Sequence, residues 1–351
     1  MPVVHDTRTK KLTIHDIARM ASVSAGTVSR VINDQPGVGE QTRARIKAII
    51  EEQGYQASFF ARNLLARRSF AVGLVFSTAP SELFSHPVYP QLMGGIGDAL
   101  GAASYTLTLI TVPADEREER VLREVADGRL DGVILPDIRS GDTIVDALRD
   151  LETPTVLIGH RDAHGDAAWV DCDHDHAITE LTRHLIAVGH THIGLVNGPE
   201  EFSACALRAA GYRAALTDAS LTPRQEQPGS FSAEHGYRAT LNLIDLPLAE
   251  RPTAIVAASD VIAAGCIEAA RSRGLRVPDD LVVTGFDDTM LARYSHPPLT
   301  TVRVPLADMG HMAVHILFSI MQDKQARPRT MVLPSEVIVR ASSGVSRRLL
   351  Q

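Results

Sequence analysis

The stretch TIHDIARMASVSAGTVSRVIND, residues 13–34, holds two short apolar stripes on either side of a serine-containing turn. Thr13 followed by Asp16 has the form of a capping box, with Asp in place of the usual Glu, and predicts a helix start. Ile14, Ile17, Ala18 and Ala21 recur at spacings of three and four, the stripe of a helix that must pack on something. Ser22-Val23-Ser24 then makes the turn. Ser24 is a good N-cap for a second helix from Ala25 to about Asn33, with Val28, Val31 and Ile32 facing inward. Two short helices joined this way form a helix-turn-helix. A third helix is expected from about Gln41 to Gln53, apolar at Ile46, Ile49 and Ile50 and ended by Gly54.

On the second helix Ala25, Gly26, Ser29, Arg30 and Asn33 lie off the apolar stripe. A helix-turn-helix lays this face in the major groove, where Arg pairs with guanine and Asn with adenine. The plainer alternative is a small helical bundle with a solvated polar face. Charge favours the first. Residues 1–68 hold 11 Lys and Arg against 6 Asp and Glu, a charge of +5, which leaves −12 of the whole chain's −7 to the remainder. A basic head on an acidic body is suited to meeting a polyanion with the head alone.

With GYQASFFARNLLARRSFAVGLVF (residues 54–76) added, the segment is similar to the DNA-binding head and hinge of the LacI/GalR family of transcription regulators. The resemblance implies that Thr13, Ser24 and Ser29 touch phosphates or the groove edge, with Thr27 in the same DNA-binding set. It implies that Ala25, Gly26 and Arg30 face bases and that Asn33 ends the recognition helix. Neither Ala25 nor Gly26 can donate a side-chain hydrogen bond, so direct readout leans on Arg30. The hinge, residues 58–68, is short and helix-prone, and an isolated helix of that length is marginal in water. In the family it folds when two copies meet over the operator and pushes a leucine into the minor groove. Leu64 matches that leucine, with Ala61 and Arg62 beside it. Ala57-Ser58 replaces the family's usual Pro-Asn. An ordinary linker with a buried leucine is the alternative.

From Phe70 short apolar runs (AVGLVF, TLTLIT, DGVILP, PTVLIG, HIGLVNG, TAIVAAS, LVVTGF) alternate with amphipathic stretches. This predicts an α/β fold, a doubly wound parallel sheet with helices on both faces. The strands are too many for one compact sheet, so two successive sheets with a cleft at their carboxyl ends are expected. The body resembles the family's effector domain, of periplasmic-binding-protein type, which implies two lobes crossed by the chain near Cys172, Arg303 and Met331. The implied division is a head over 1–57, a hinge over 58–68, a first lobe over 69–172 plus 304–331, and a second over 173–303 plus 332–351.

The same resemblance assigns an effector site to Tyr89, Phe202, Arg208, Ser259, Asp260 and Asp287. An Arg with Asp side chains and an aromatic wall suits a polyhydroxylated ligand such as a sugar. Asp260 has a second reading, as the cap of a helix after a strand. In DCDHDHAITELTRHL (171–185), His176, Glu180 and His184 share a helix face at metal-ligand spacing. A charged first turn leading a solvated helix explains them more simply, so no metal and no cofactor are expected.

Cys172, Cys205 and Cys266 lack motif spacing, which fits free thiols in a reducing cytoplasm. No apolar run follows the first basic residues, as a secretory signal would need, and nothing resembles a membrane span. There is no G-x-S-x-G, no phosphate-cradling loop and no dinucleotide fingerprint after a strand. The expected protein is a cytoplasmic homodimer, or tetramer, that acts at a pseudo-palindromic operator as a repressor, more often than as an activator, under the control of a small effector such as a sugar. A solute-binding protein and an α/β enzyme acting on a sugar are the competing classes.

Overall fold

The computed structural model describes residues 12–32, 34–55, 68–136, 138–139, 141–159, 167–223, 226–323 and 330–344. Asn33, Arg62, Leu64 and nearly all of the hinge lie outside them. The chain falls into two compact units, Met1–Ser69 and Phe70–Gln351.

In the first unit α1 (Ile14–Met20), α2 (Ala25–Ile32) and α3 (Glu40–Glu52) surround a core of Ile17, Ala18, Ala21, Val28, Val31, Ile46 and Tyr55. The capping box is present: Asp16 N–H donates to Thr13 Oγ1 (3.4 Å), and Thr13 N–H donates to Asp16 Oδ2 (2.9 Å). Ser24 Oγ accepts from Thr27 N–H (3.1 Å) and so caps α2. Gly54, at φ +56, ends α3 in a Schellman motif. Gly54 N–H reaches Glu51 O and Tyr55 N–H reaches Ile50 O, which swings the Tyr55 ring back onto the core. Arg43 ties the loop before α3 by donating to Asp34 Oδ1 (3.0 Å) and Gln35 O (2.6 Å).

The second unit is α/β, as the alternation predicts. One parallel sheet runs β11-β5-β4-β3-β1-β2, with β1 Ala71–Phe76, β2 Thr106–Thr111, β3 Gly132–Pro136, β4 Thr155–Ile158, β5 Ala168–Cys172 and β11 Thr330–Leu333. Every residue of β1 and β3 is buried, as expected of strands covered on both faces. A second parallel sheet runs β7-β6-β8-β9, with β6 Ile193–Val196, β7 Glu226–Gln227, β8 Ala254–Ala257 and β9 Val282–Thr284. The chain leaves the first sheet after Cys172 and returns after β10 (Thr301–Arg303) through a helix, Leu306–Gln322, to β11. It then leaves again to pair β12 (Glu336–Ile338) antiparallel with β10. β11 keeps its register with β5 up to Leu333, so the chain leaves the first sheet for the last time two residues beyond Met331.

In this unit α4 (Pro80–Ser85), α5 (Tyr89–Ala102), α6 (Ala114–Ala126), α7 (Ile144–Asp150), α8 (His174–Ala187) and α9 (Ser203–Asp218) come first in the chain, and helices α10 (Ala233–Ile244) and α11 (Asp260–Ser272) then pack backbone to backbone on the second sheet. A methyl group on Gly265 would fall on the carbonyl oxygen of Ala233. Gly265→Ala is therefore expected to destabilise by about 1–3 kcal/mol through overpacking. Gly97→Ala in α5, where the added carbon meets nothing within 4 Å, should gain about 0.5–1 kcal/mol. Urea unfolding of the two variants separates close packing from helix propensity.

Candidate DNA-reading helix and ligand cleft

In the head, α2 turns Val28 and Val31 into the core and leaves Gly26 and Arg30 exposed. Ala25, Thr27 and Ser29 are half-buried, and Thr13 and Ser24 are exposed at the starts of α1 and α2. Thr27 Oγ1 lies 2.9 Å from Ser24 Oγ, so the cap and its neighbour hold each other. Among the described residues the Arg30 side chain has no hydrogen-bond or ion-pair partner, while its backbone oxygen accepts from Gln35 N–H (2.8 Å). A long cation standing free beside a glycine can reach into a groove without a neighbouring side chain in its way.

In the body a cavity of about 170 Å³ opens between elements of the two parallel sheets. A cavity of roughly 150 Å³ admits benzene, so this one has room for a six-membered ring. It gathers Tyr89, Phe202, Arg208, Ser259 and Asp287. Tyr89, at the start of α5, is edge-on to Phe76 (centroids 4.8 Å apart) and 4.9 Å from His86. Phe202 faces Phe231 at 6.0 Å, and the Arg139 guanidinium lies 5.5 Å from the Phe202 ring.

Arg208, on α9, is 6% exposed. Its Nη1 donates to Ala258 O (2.8 Å), and its guanidinium stacks 4.1 Å from the Phe286 ring centre. Its Nε has no partner. A buried donor left unsatisfied costs about 1–3 kcal/mol, which an oxygen of a bound ligand would offset. Asp287 sits at φ +108, a strained backbone for a residue with a side chain. Burial pushes its carboxyl well above the usual range, the Arg208 charge pulls the other way, and Asp260 adds to the rise.

Ser259 Oγ accepts from Ile262 N–H (3.1 Å) and caps α11 while lining the cavity. Asp260 is not in the lining. Its Oδ2 accepts from Thr289 N–H (2.7 Å) and Thr289 Oγ1 (2.9 Å), and its Oδ1 from Thr301 Oγ1 (2.6 Å). The carboxylate is spent on joining α11 to the loop after β9 and to β10, so its geometry corrects the ligand-contact reading. Nor is it the helix cap, a role Ser259 takes.

Asp288, next to Asp287, turns the opposite way. Its carboxylate takes Arg303 Nε (2.8 Å), Arg340 Nη2 (2.5 Å) and Arg293 Nη2 (3.5 Å). Burial resists its ionisation, but the hydrogen bonds from Arg340 and Arg303 outweigh it and hold the carboxyl below the usual range. Arg303 and Arg340 flank the paired β10 and β12, so one carboxylate clasps two of the segments that pass between the sheets.

The residue pattern missed several lining groups: His86, Phe231, Asp171, Cys172 and His174. Asp171 and Cys172 end β5, a strand too short and polar to count among the apolar runs. His174 opens α8 (His174–Ala187) inside the DCDH run, whose pattern alone reads as a charged first turn. The trio His176, Glu180 and His184 does not converge. His176 and Glu180 are exposed, and His184 points to Ser343 Oγ (3.3 Å). Among the described residues the His, Cys and carboxylate donors that converge are Asp171, Cys172 and His174. The three cysteines are buried, and none is in a disulfide with another. No helix among the described residues is long and apolar enough to cross a membrane.

Residues 13–58 match the family described as bacterial regulatory proteins, lacI family, and residues 182–343 match a periplasmic binding protein-like domain. The HTH-type transcriptional regulator CelR of Thermobifida fusca is 32% identical over 339 residues, covering 95% of this chain and 99% of the relative. A solved transcriptional regulator CelR–cellobiose complex superposes with a TM-score of 0.74 at 31% identity, covering 94% of this chain and 99% of that one. The lac repressor dimer bound to operator and the anti-inducer ONPF gives a TM-score of 0.83 at 26% identity, over 95% and 99% of the two chains.

Proposed function

The chain belongs to the lacI family of bacterial regulatory proteins, and from that premise we propose how it works as a regulator. Two copies bind the half-sites of a pseudo-palindromic operator in the cytoplasm. Arg30 reads a base, Thr13, Ser24, Thr27 and Ser29 fix the helix on the phosphates and groove edge, and Leu64 with Arg62 acts at the operator centre. A small polyhydroxylated effector, a sugar, enters the cleft of each body. There Arg208 and Asp287 hold hydroxyls, Ser259 borders them, and Tyr89 and Phe202 wall the ring. The protein represses, and turns over nothing.

One observation carries the effector reading: a buried guanidinium with an unpartnered Nε opens onto a ring-sized cavity beside a strained aspartate. The CelR–cellobiose complex supports a saccharide, since it is a ligand complex of a similar chain. Effector acts on DNA binding only if it favours one lobe arrangement over the other.

A thermal-shift screen of mono- and disaccharides, polyols and purines tests this. A ligand at 100 times its Kd stabilises by about 2.7 kcal/mol, a shift of several degrees. Arg208→Ala should erase the shift produced by the ligand that binds, while operator binding without ligand stays within about threefold. Removing residues 1–68 should do the reverse, keeping the ligand shift and losing operator retention. If the truncated body still held operator DNA at moderate salt, the division of labour would be wrong. Consumption of a saccharide in the same mixtures would point to an enzyme instead.

A further inference from the structure

We propose that Asp171, Cys172 and His174 form a binding site for one divalent metal ion of the zinc class on the floor of the cleft, with one coordination position facing the cavity. The inference stands on the geometry of these side chains, not on the identity of an effector.

All three residues are at least nine-tenths buried, and all three line the cavity. Their donor atoms lie within 4.8 Å of one another. His174 Nε2 is 3.0 Å from Asp171 Oδ1 and 3.5 Å from Cys172 Sγ. Tetrahedral zinc with ordinary bond lengths has N–O and N–S ligand edges of about 3.3 Å and about 3.5 Å. The two edges that share Nε2 therefore already have nearly the spacing that an ion inserted among them would impose. Cys172 Sγ is also 3.3 Å from Nδ1, so ligation through Nε2 asks for a turn of the imidazole about its own axis.

The surroundings limit that movement. The His174 ring lies 5.6 Å from the Phe286 ring, the same ring that carries Arg208. The Cys172 N–H donates to Asp171 Oδ1 (2.8 Å) and orients the carboxylate. A histidine–aspartate pair alone would serve a ligand hydroxyl. The thiol changes the chemistry, because sulfur with imidazole and carboxylate is a zinc-type donor set and not a magnesium or calcium one.

On binding, the hydrogen that Nε2 donates to Oδ1 moves to Nδ1, the other tautomer of the neutral imidazole, and the ion forms bonds to Nε2 and Oδ1 in place of that contact. Cys172 binds as thiolate and its proton passes to solvent. Two anionic ligands balance a divalent charge, so the loaded floor stays neutral beneath Arg208. Three protein ligands leave a fourth position for water or for an oxygen of whatever fills the cleft. Asp171 and Cys172 end the last strand of the first sheet before the chain leaves it, and His174 begins the helix beyond. The ion would thus bridge the first passage between the sheets.

The test uses the full chain, stripped with a chelator and then titrated with zinc alone and, separately, with cobalt(II) as a spectroscopic stand-in. One equivalent of zinc is expected per chain. Outer-shell changes at metal sites cost about 10–100-fold in affinity, so Cys172→Ser and His174→Asn should each cost at least about 100-fold. His176→Ala, an exposed histidine on the same helix, should leave uptake unchanged. Cobalt-loaded wild type should show thiolate-to-metal charge transfer, absent in Cys172→Ser. The proposal is overturned by no stoichiometric uptake, by uptake that survives both substitutions, or by a cobalt spectrum without the thiolate band. The spectrum decides the matter on wild-type protein even if a variant folds poorly. A failed saccharide screen would leave these outcomes untouched.

Discussion

Asp260→Ala is expected to lose about 2–4 kcal/mol of stability. The substitution removes the acceptor of three buried donors: the Thr289 N–H and the hydroxyls of Thr289 and Thr301. The hydroxyls can turn toward other acceptors. The N–H cannot, and an orphaned buried donor alone costs about 1–3 kcal/mol. The remainder comes from the space left by the side chain and from the lost connection between α11 and β10. Denaturant unfolding measures the total.

Asp260→Asn isolates the charge. Burial, working against the hydrogen bonds from Thr301 and Thr289, pushes the Asp260 carboxyl up to about 6. The folded protein thus holds this proton more tightly than the unfolded chain, in which the carboxyl titrates near its ordinary value of 3.8. Stability from this group is full at low pH and is lost as pH rises through about 6, with a slope of up to about 1 kcal/mol per pH unit. The asparagine variant should show a flatter stability curve across that window than wild type. Asp287 contributes a slope of the same sign; the variant keeps the part due to burial and loses the part added by the Asp260 charge, so the difference between the curves reports Asp260 together with its effect on Asp287. Asp288 titrates the other way. Its carboxyl is held below the usual range, so its contribution is present above the ordinary carboxylate range and lost as pH falls beneath it. An unchanged curve over pH 4–6 in Asp260→Asn would show that the buried carboxyl does not hold its proton.

Arg30→Ala should weaken binding to the cognate operator by roughly 10–100-fold, since a bidentate arginine–guanine pair is worth about 1–3 kcal/mol of discrimination. The effect is expected at the high end here. Of the other two positions read as base-facing, Ala25 offers at most a methyl group and Gly26 offers nothing, so neither takes over. Binding to scrambled DNA at the same salt should fall far less, because phosphate contacts from the other basic residues remain. Equal losses on both DNAs would make Arg30 a phosphate contact. With one main reader on the helix, more of the specificity should then come from how easily the operator bends.

The local signals proved the most legible. Thr13 and Asp16 close on each other across one turn, Ser24 caps the next helix, and Gly54 ends the third. Each involves residues within a few positions of one another, where backbone geometry leaves little choice. The seven apolar runs all became strands: β1, β3, β6, β8 and β9 are buried along their whole length, as apolar runs should be, while β2, at the edge of its sheet, is largely uncovered and carries threonines. The strands that no apolar run marks are short and include polar residues, such as β5 with Asp171 and β12 with Glu336.

Long-range pairing was not legible. Asp260 and Asp287 look alike in sequence, each an aspartate just after a strand. Only the folded chain sends one into a cage of Thr289 and Thr301 and the other to the cavity wall beside Arg208. In the same way Asp287 and Asp288 are chain neighbours that face opposite tasks because of their backbone angles. By itself, the sequence determined a helix-turn-helix head, an α/β body and the exposed Arg30, since periodicity and capping act over a few residues. The tertiary structure alone decided which buried polar groups meet. That depends on contacts between segments tens to more than a hundred residues apart, and no local pattern encodes which donor will be left without an acceptor.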